Sequence, residues 1–350
     1  MRVLVTGGTG YIGSHTAVCL IEAGHDVVVV DNLANSSITA VDRIGRITGT
    51  KPRFIRLDLL DRATVDRLFR TGAFDGVIHF AGLKAVADSV RDPLRYYDVN
   101  LGSTQSVASA AVRHGVSRFV FSSSSTVYGS GARLPHGEDS AGLGPVNPYG
   151  WTKLMSERVL ADTAEATHLR VINLRYFNPV GAHRSGLLGE SPLGAPSNLM
   201  PLISDVALGR RPSLQIFGND YPTSDGTCVR DYIHVDDLAA GHVRALEHFE
   251  LMSDPVREFN LGTGTGTSVL ELVATFEQVT GACVPIELAG RRAGDTALSW
   301  ADVSRARREL GWTATRSVRD ACEDNWRWLQ HERRTARRPT PRRRANLIAT

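Results

Sequence analysis

The sequence predicts an α/β protein, a Rossmann-like doubly wound parallel sheet with a smaller C-terminal substrate-binding domain. Three observations carry that prediction. Short apolar runs alternate with helix-length segments through the first half. A glycine-rich turn follows directly on the first run. After about Phe177 the alternation gives way to stretches rich in Gly and Pro, such as NPVGAH and GESPLGAPSN.

The apolar runs Arg2–Thr6, Val27–Val30, Arg53–Leu57, Gly76–Phe80, Phe119–Ser122 and Arg170–Leu174 are read as buried strands. Segments such as Ser14–Ala23 and Asn100–His114 have the length of helices. Strand, helix and strand repeated in this way require right-handed crossovers and a sheet covered on both faces. The expected organisation is a nucleotide-binding domain over 1–177 and a substrate-binding domain over 178–331, with some of the latter packing back on the former. A basic, disordered tail is expected over 332–350, where Pro, many arginines and no periodicity coincide.

A length of 350 residues, with 42% hydrophobic and 22% charged residues, suits two packed domains of a soluble α/β protein. The formal charge of +3 reflects the arginines of the tail, so the body is nearly neutral and nucleic-acid binding is not indicated. Cys19, Cys228, Cys283 and Cys322 are scattered, with neither a Cys-x-x-Cys pair nor a metal spacing, which fits a reducing cytoplasm. The N-terminal apolar run breaks into glycines too early for a secretory signal, and no stretch approaches the roughly 20 apolar residues that cross a bilayer.

The turn TGGTGYIGSH places Gly8, Gly10 and Gly13 in the pattern G-x-G-x-x-G, with Gly7 adding a further glycine. Gly7 and Gly10 let the chain turn tightly and approach a pyrophosphate, Tyr11 and Ile12 open a helix whose positive end meets that charge, and Gly13 lets the helix pack closely. Glycines that merely close a strand–helix loop are the alternative. Asp31, ending the second strand 18 residues past Gly13, decides for a dinucleotide. Its carboxylate accepts both ribose hydroxyls of NAD and repels a 2′-phosphate, and Asn32, Leu33, Ala34, Asn35 and Ser36 bring no arginine to offset it. Asp58 and Leu59 end the third strand near the expected adenine edge, and Lys84 in HFAGLKAV is a candidate cation for the pyrophosphate.

The strand Phe119–Ser122 opens into SSSSTVYG, and PYGWTK follows with Tyr149 and Lys153 at i and i+4. On a helix that spacing puts both side chains on one face, roughly 6 Å apart at Cβ. A secondary alcohol gives hydride to a nicotinamide only if its proton also leaves, and a free tyrosine is a poor base. Lys153 and a nearby positive nicotinamide are expected to lower the Tyr149 pKa, with Ser124 sharing the proton.

TGGTGYIGSH, DNLANS, HFAGLKAV, FSSSSTVYG, PYGWTK, LRYFNPVGAH, FGNDYPTSDGTCVRDYIHVDDLA and GRRAGD together resemble the UDP-glucose (UDP-galactose) 4-epimerases from Met1 to about Trp328. The resemblance implies that Ser124, Tyr149 and Lys153 are catalytic. It also implies that Phe80, Ala81, Lys84, Tyr176 and Phe177 contact NAD. Asn178, Asn198, Leu199, Phe217, Arg230, Arg291, Arg292, Asp295 and Ser299 fall on UDP-hexose-binding positions, and two phosphates do need cations.

The implied cycle is redox-neutral. Tyr149 takes the O4 proton as hydride leaves C4 for NAD, a 4-keto sugar turns over, and both are returned on the opposite face. A homodimer is expected by analogy with fold relatives.

The chain departs from the family pattern at Val99, Ser125, Trp151, Thr152, Ala293 and Ser299. Two other readings compete. A 4,6-dehydratase would place Asp-Glu after the Thr of the serine strand, where this chain has Val127 and Tyr128. A non-catalytic NAD-sensing protein would have no reason to keep Ser124, Tyr149 and Lys153.

Overall fold

The computed structural model describes residues 1–336, apart from 131, 141–143, 195, 197, 293 and 294. In chain order the first half runs β1 (Arg2–Thr6), α1 (Tyr11–Glu22), β2 (Asp26–Asp31), α2 (Thr39–Thr48), β3 (Arg53–Arg56), α3 (Arg62–Gly72), β4 (Gly76–His79), α4 (Val86–Arg91), α5 (Pro93–Arg113), β5 (Arg118–Ser124), α6 (Pro148–Ala166) and β6 (Arg170–Tyr176). The second half runs β7 (Asn178–Val180), α7 (Leu199–Ala207), β8 (Leu214–Phe217), β9 (Val229–Arg230), β10 (Tyr232–His234), α8 (Val235–His248), β11 (Val256–Leu261), β12 (Thr267–Ser268), α9 (Val269–Thr280), β13 (Ile286–Ala289), β14 (Leu298–Ser299) and α10 (Val318–Ala336).

Seven strands form one parallel sheet in the order β11-β6-β5-β4-β1-β2-β3. Side chains alternate across it, as a period of two requires. Val3 and Val5 of β1 join a core with Val18 and Leu20 of α1 and Leu238 and Leu246 of α8. Leu4, between them, faces the opposite core with Phe69 of α3, Val107 of α5 and Leu160 of α6. The strand order reverses between β1 and β4, and a crevice opens at the carboxyl ends of such a pair.

The second lobe has its own core, in which Ile203 of α7, Ile216 of β8, Phe276 of α9 and Cys322 of α10 meet. Three short strands in the order β12-β9-β14 and the parallel pair β8–β13 complete it. The four cysteines are free. No helix among the described residues is long and apolar enough to cross a membrane.

The structure adds to the sequence reading in three places. The serine strand runs on through Ser124, so its end, and not the loop after it, presents that residue. Helix α5 starts at Pro93, well before Asn100, because proline fixes the first turn of a helix without costing a hydrogen bond. The last strand of the sheet, β11, lies far along the chain, so α8 and β11 carry residues 235–261 back onto the first lobe.

The tail boundary is corrected. Residues 332–336 belong to α10, and Glu332 pairs with Arg43 of α2 at 2.7 Å, so the basic run begins as helix. The rest of the tail, 337–350, and the departure at Ala293 lie outside the described residues.

Candidate active site

The glycine loop crosses the crevice between β1 and β4. Gly7 adopts φ +66°, and a Cβ there would lie 2.8 Å from the Ala81 amide nitrogen, so no other residue fits against the loop after β4. A Cβ on Gly13 would meet the Gly7 carbonyl at 2.4 Å. Gly10 is the N-cap residue of α1 and offers no side-chain cap, which leaves the first amides of the helix, those of Tyr11, Ile12 and Gly13, for a ligand at its positive end.

Asp31 stands beside this opening. One of its oxygens accepts from the Leu33 amide at 2.8 Å and the Ser36 hydroxyl at 3.0 Å, and the other from the Thr9 amide at 3.2 Å. Thr9 Oγ1 also meets Ser36 Oγ at 2.7 Å, a contact the sequence reading did not anticipate. Asn32 donates to Asp58 at 3.3 Å, which joins the ends of β2 and β3. Asn35 accepts from the Leu193 amide of the second lobe at 3.1 Å. Leu59 is buried in the core below.

The main chain of Phe80 and Ala81 borders the glycine loop, the Phe80 amide donating to Thr6 at 3.1 Å, while the Phe80 ring turns away to meet His242. Lys84 follows on the same loop. That loop is anchored by Asn100, the residue after the departure at Val99. Asn100 is buried, accepts from the Leu83 amide at 2.7 Å and donates to the Leu83 carbonyl and to Thr152 of α6. Thr152, a departure from the family pattern, thereby ties the loop after β4 to the helix that carries Tyr149 and Lys153.

Helix α6 is capped by Asn147, whose side chain accepts from the Gly150 amide, and Pro148 opens its first turn. It lays Tyr149 and Lys153 over the end of β5. Lys153 is buried; its Nζ donates to the Ser122 carbonyl at 2.6 Å and lies 5.8 Å from the Tyr149 ring centre. Ser124 is buried at the strand end, and its hydroxyl accepts from Thr126.

Burial pushes the Tyr149 phenol up to about 12, and the Ser124 hydroxyl opposes that rise. Burial also pulls Lys153 down to about 8, against the pull of Glu157. Removing both groups from water disfavours both charged forms, and neither group is among the causes of the other's shift; the expected lowering joins Lys153 to a positive nicotinamide.

Behind this pair lies a charged network that the sequence did not reveal. Glu157, one helical turn past Lys153, takes both arms of Arg175 at 2.9 and 2.6 Å and the hydroxyl of Ser123, and all three are buried. It fastens α6 to β5 and β6. Tyr176 bonds Ser122 through its hydroxyl beneath the site. The ring of Phe177 packs with those of Tyr128 and His136 in a small aromatic core, so Phe177 offers the cleft main chain more than ring. Val127 and Tyr128 are fully buried there, which leaves no acid after Thr126.

The second lobe holds the residues expected to bind the nucleotide sugar. Arg230 and Ser299 are register partners on β9 and β14. Buried Asp231 holds their surroundings, accepting from the Thr263 and Gly264 amides and from the Ala301 amide. The His136 amide donates to the Trp300 carbonyl at 2.9 Å, so Ser299 is tied to the loop that leaves Ser124.

Arg292 lies over the Phe217 ring, 4.2 Å from its centre, and 4.0 Å from Asp295. Arg291 instead stacks on Tyr221 and pairs with Asp220 at 2.8 Å, away from this group. The Asn178 amide joins β7 to Asp231. Asn198 is the N-cap residue of α7 yet makes no side-chain cap to that helix. Trp151 points outward, 37% exposed on α6.

A doubly wound sheet with an uncapped glycine loop, an acid at the end of β2 and a Ser–Tyr–Lys set at the end of β5 defines a nucleotide-dependent enzyme of the short-chain dehydrogenase class. The profile of the NAD dependent epimerase/dehydratase family matches residues 3–262, and the chain belongs to that family. Relatives about half identical to it are UDP-glucose 4-epimerases. That of Bacillus subtilis is 54% identical over 329 residues, covering 94% of this chain and 96% of its own.

The crystal structure of the Stenotrophomonas maltophila UDP-glucose-4-epimerase, with bound NAD and formylated UDP-arabinopyranose, is 50% identical with a TM-score of 0.92, covering 96% of this chain and 99% of its own. The Bifidobacterium longum UDP-glucose 4-epimerase, in complex with NAD+ and UDP, is 46% identical with a TM-score of 0.92, covering 95% and 99%.

Proposed function

We propose that this protein is an NAD-dependent enzyme that interconverts UDP-glucose and UDP-galactose by inversion at C4. The observation that carries the reading is the meeting of Tyr149, Lys153 and Ser124 at the end of β5, in a fold that also holds the open glycine loop. The cradle left by Gly7, the free amides of α1 and the Asp31 carboxylate suit NAD, with Asn32, Asn35, Ser36, Asp58, Leu59, Phe80, Ala81, Lys84, Tyr176 and Phe177 around it. What NAD supplies when bound is a reversible hydride acceptor for C4 of the sugar.

The chain's own residues do the rest. Tyr149 takes the proton from O4 and later returns it to the same oxygen, Ser124 shares that proton, and Lys153 supplies the positive charge that a phenolate needs. Asn178, Asn198, Leu199, Phe217, Arg230, Arg292 and Asp295 hold the UDP portion. Firm contacts to UDP with few to the hexose let a 4-keto sugar turn over between the two half-reactions, because a site complementary to one hexose pose would prevent that rotation. The small Ser299 leaves room at C2, which extends the substrates to UDP-GlcNAc and UDP-GalNAc.

Two further assignments belong here. Leu94 (75% exposed), Tyr97 and Leu101 follow one face of α5, and Trp151 and Met155 one face of the adjoining α6. This apolar surface supports a homodimer formed by pairing α5 and α6 with their copies. Four free thiols support the cytoplasm as the compartment.

Purified protein incubated with UDP-galactose, without added NAD, tests the function. UDP-glucose should accumulate to an equilibrium mixture; no conversion even with NAD supplied would overturn it.

A further inference from the structure

The segment between β7 and α7 carries a buried acid. Ala182 and Gly189 pair as an isolated antiparallel bridge, and Gly189 lies so close under Trp328 of α10 that a Cβ there would stand 2.5 Å from the indole. The main chain before Glu190 is thus pinned from both sides. The Glu190 carboxylate is 7% exposed, and one oxygen, Oε1, receives both Lys84 Nζ at 2.8 Å and Asn198 Nδ2 at 2.7 Å. Lys84 comes from the loop after β4, on the cofactor side. Asn198 comes from the start of α7, on the substrate side, and gives up capping its own helix to make this bond.

An acid is an unexpected group here, since it lies between residues assigned to two diphosphates and repels both. A buried carboxylate is retained only where donors compensate it, and these two are its donors. An ammonium has three protons, so Lys84 can hold Glu190 with one and still offer two to a phosphate. We infer that Glu190 is a positioning residue that sets Lys84 and Asn198 on one oxygen before either nucleotide arrives, and so couples the cofactor site to the substrate site. The inference rests on the assignment of Lys84 and Asn198 under the proposed function. A lysine held in place loses less freedom on binding than one that must be ordered, and the same holds for the asparagine.

Substitutions in the full-length holoenzyme separate the two arms. Glu190→Gln keeps an oxygen for Asn198 but removes the charge that holds Lys84. It should speed loss of NAD from the diluted holoenzyme by about 10-fold, while UDP affinity, measured by titration calorimetry, stays within about 3-fold. Lys84→Met should speed NAD loss similarly, and the double variant should lose NAD no faster than Lys84→Met alone. Glu190→Ala and Asn198→Ala should each weaken UDP by about 10-fold, with no further loss when combined.

A merely structural role predicts that Glu190→Gln disturbs NAD and UDP together and adds to Lys84→Met. Either that pattern or wild-type NAD retention in Glu190→Gln overturns the inference. Wild-type retention in Lys84→Met overturns the assignment of Lys84 as well, which distinguishes the two failures.

Discussion

Lys153 reaches from α6 to the main-chain carbonyl of Ser122 across 2.6 Å, a bond that places its ammonium 5.0 Å from the Phe121 ring centre and 5.8 Å from that of Tyr149. The lysine is therefore held by the sheet and presents one charge to the phenol. It sits in a setting that penalises that charge.

Lys153→Met should cut kcat strongly and raise the apparent pKa of the pH–rate profile, because the phenolate loses its cation. It also has a stability signature. Folded Lys153 gives up its proton near 8 against an ordinary 10.5. Between those values the unfolded chain binds more protons, so wild-type stability gains as pH rises through the window. Methionine cannot titrate. Denaturant unfolding of both proteins at pH 7.5 and 10 should show the difference moving in the wild type's favour, by at most about 3 kcal/mol. A pH-independent difference would mean that Lys153 is not buried as a charge.

Tyr149→Phe keeps the ring on α6 and removes the hydroxyl that faces Ser124. A loss of about 100-fold or more in kcat is expected, with UDP affinity unchanged, as for loss of a positioned acid/base. Steady-state kinetics with UDP-galactose and calorimetry with UDP make the check. Near-normal turnover would remove Tyr149 from the proposed mechanism.

NAD should co-purify and appear in the supernatant on denaturation, since the proposed reaction never exchanges it. Asp31→Asn retains one acceptor oxygen for the Leu33 and Ser36 contacts but loses the charge. NAD affinity should fall by about 10-fold or more, and discrimination against NADP should shrink. Equal use of NADP by the wild type would contradict the role given to Asp31.

Ser299 is set against Arg230 by the pairing of β14 with β9, so under the proposed function a larger side chain there narrows the hexose site and leaves the glycine loop alone. The wild type should turn over UDP-GlcNAc as well as UDP-galactose, and Ser299→Tyr should abolish the first while sparing the second. Each methylene-sized clash in a pocket costs about 1–3 kcal/mol, so a phenol ring gives a large ratio in kcat/KM. No turnover of UDP-GlcNAc by the wild type would show that another side chain closes the pocket.

Leu94→Arg and Trp151→Arg place charges on the exposed apolar face of α5 and α6, where a dimer would bury them unpaired. Sedimentation should give a dimer for the wild type and a monomer for the double variant. A monomeric wild type would refute the homodimer.

The sequence by itself determined the parallel sheet, the glycine loop with Asp31 and the Ser–Tyr–Lys set. Each is written in a local pattern: apolar runs of strand length, glycines at fixed spacing, two side chains at i and i+4 on one helix. What only the tertiary structure decided depends on groups distant in the chain. Glu190 joins Lys84 to Asn198, Glu157 joins Arg175 to Ser123, Asn100 joins Leu83 to Thr152, and β11 completes the sheet from beyond residue 250. No periodicity announces such contacts, since a single buried polar residue looks in sequence like any surface one. The Tyr149 pKa shows the same divide: the sequence names the lysine beside the phenol, but the desolvation that raises the phenol exists only once the chain has closed around it.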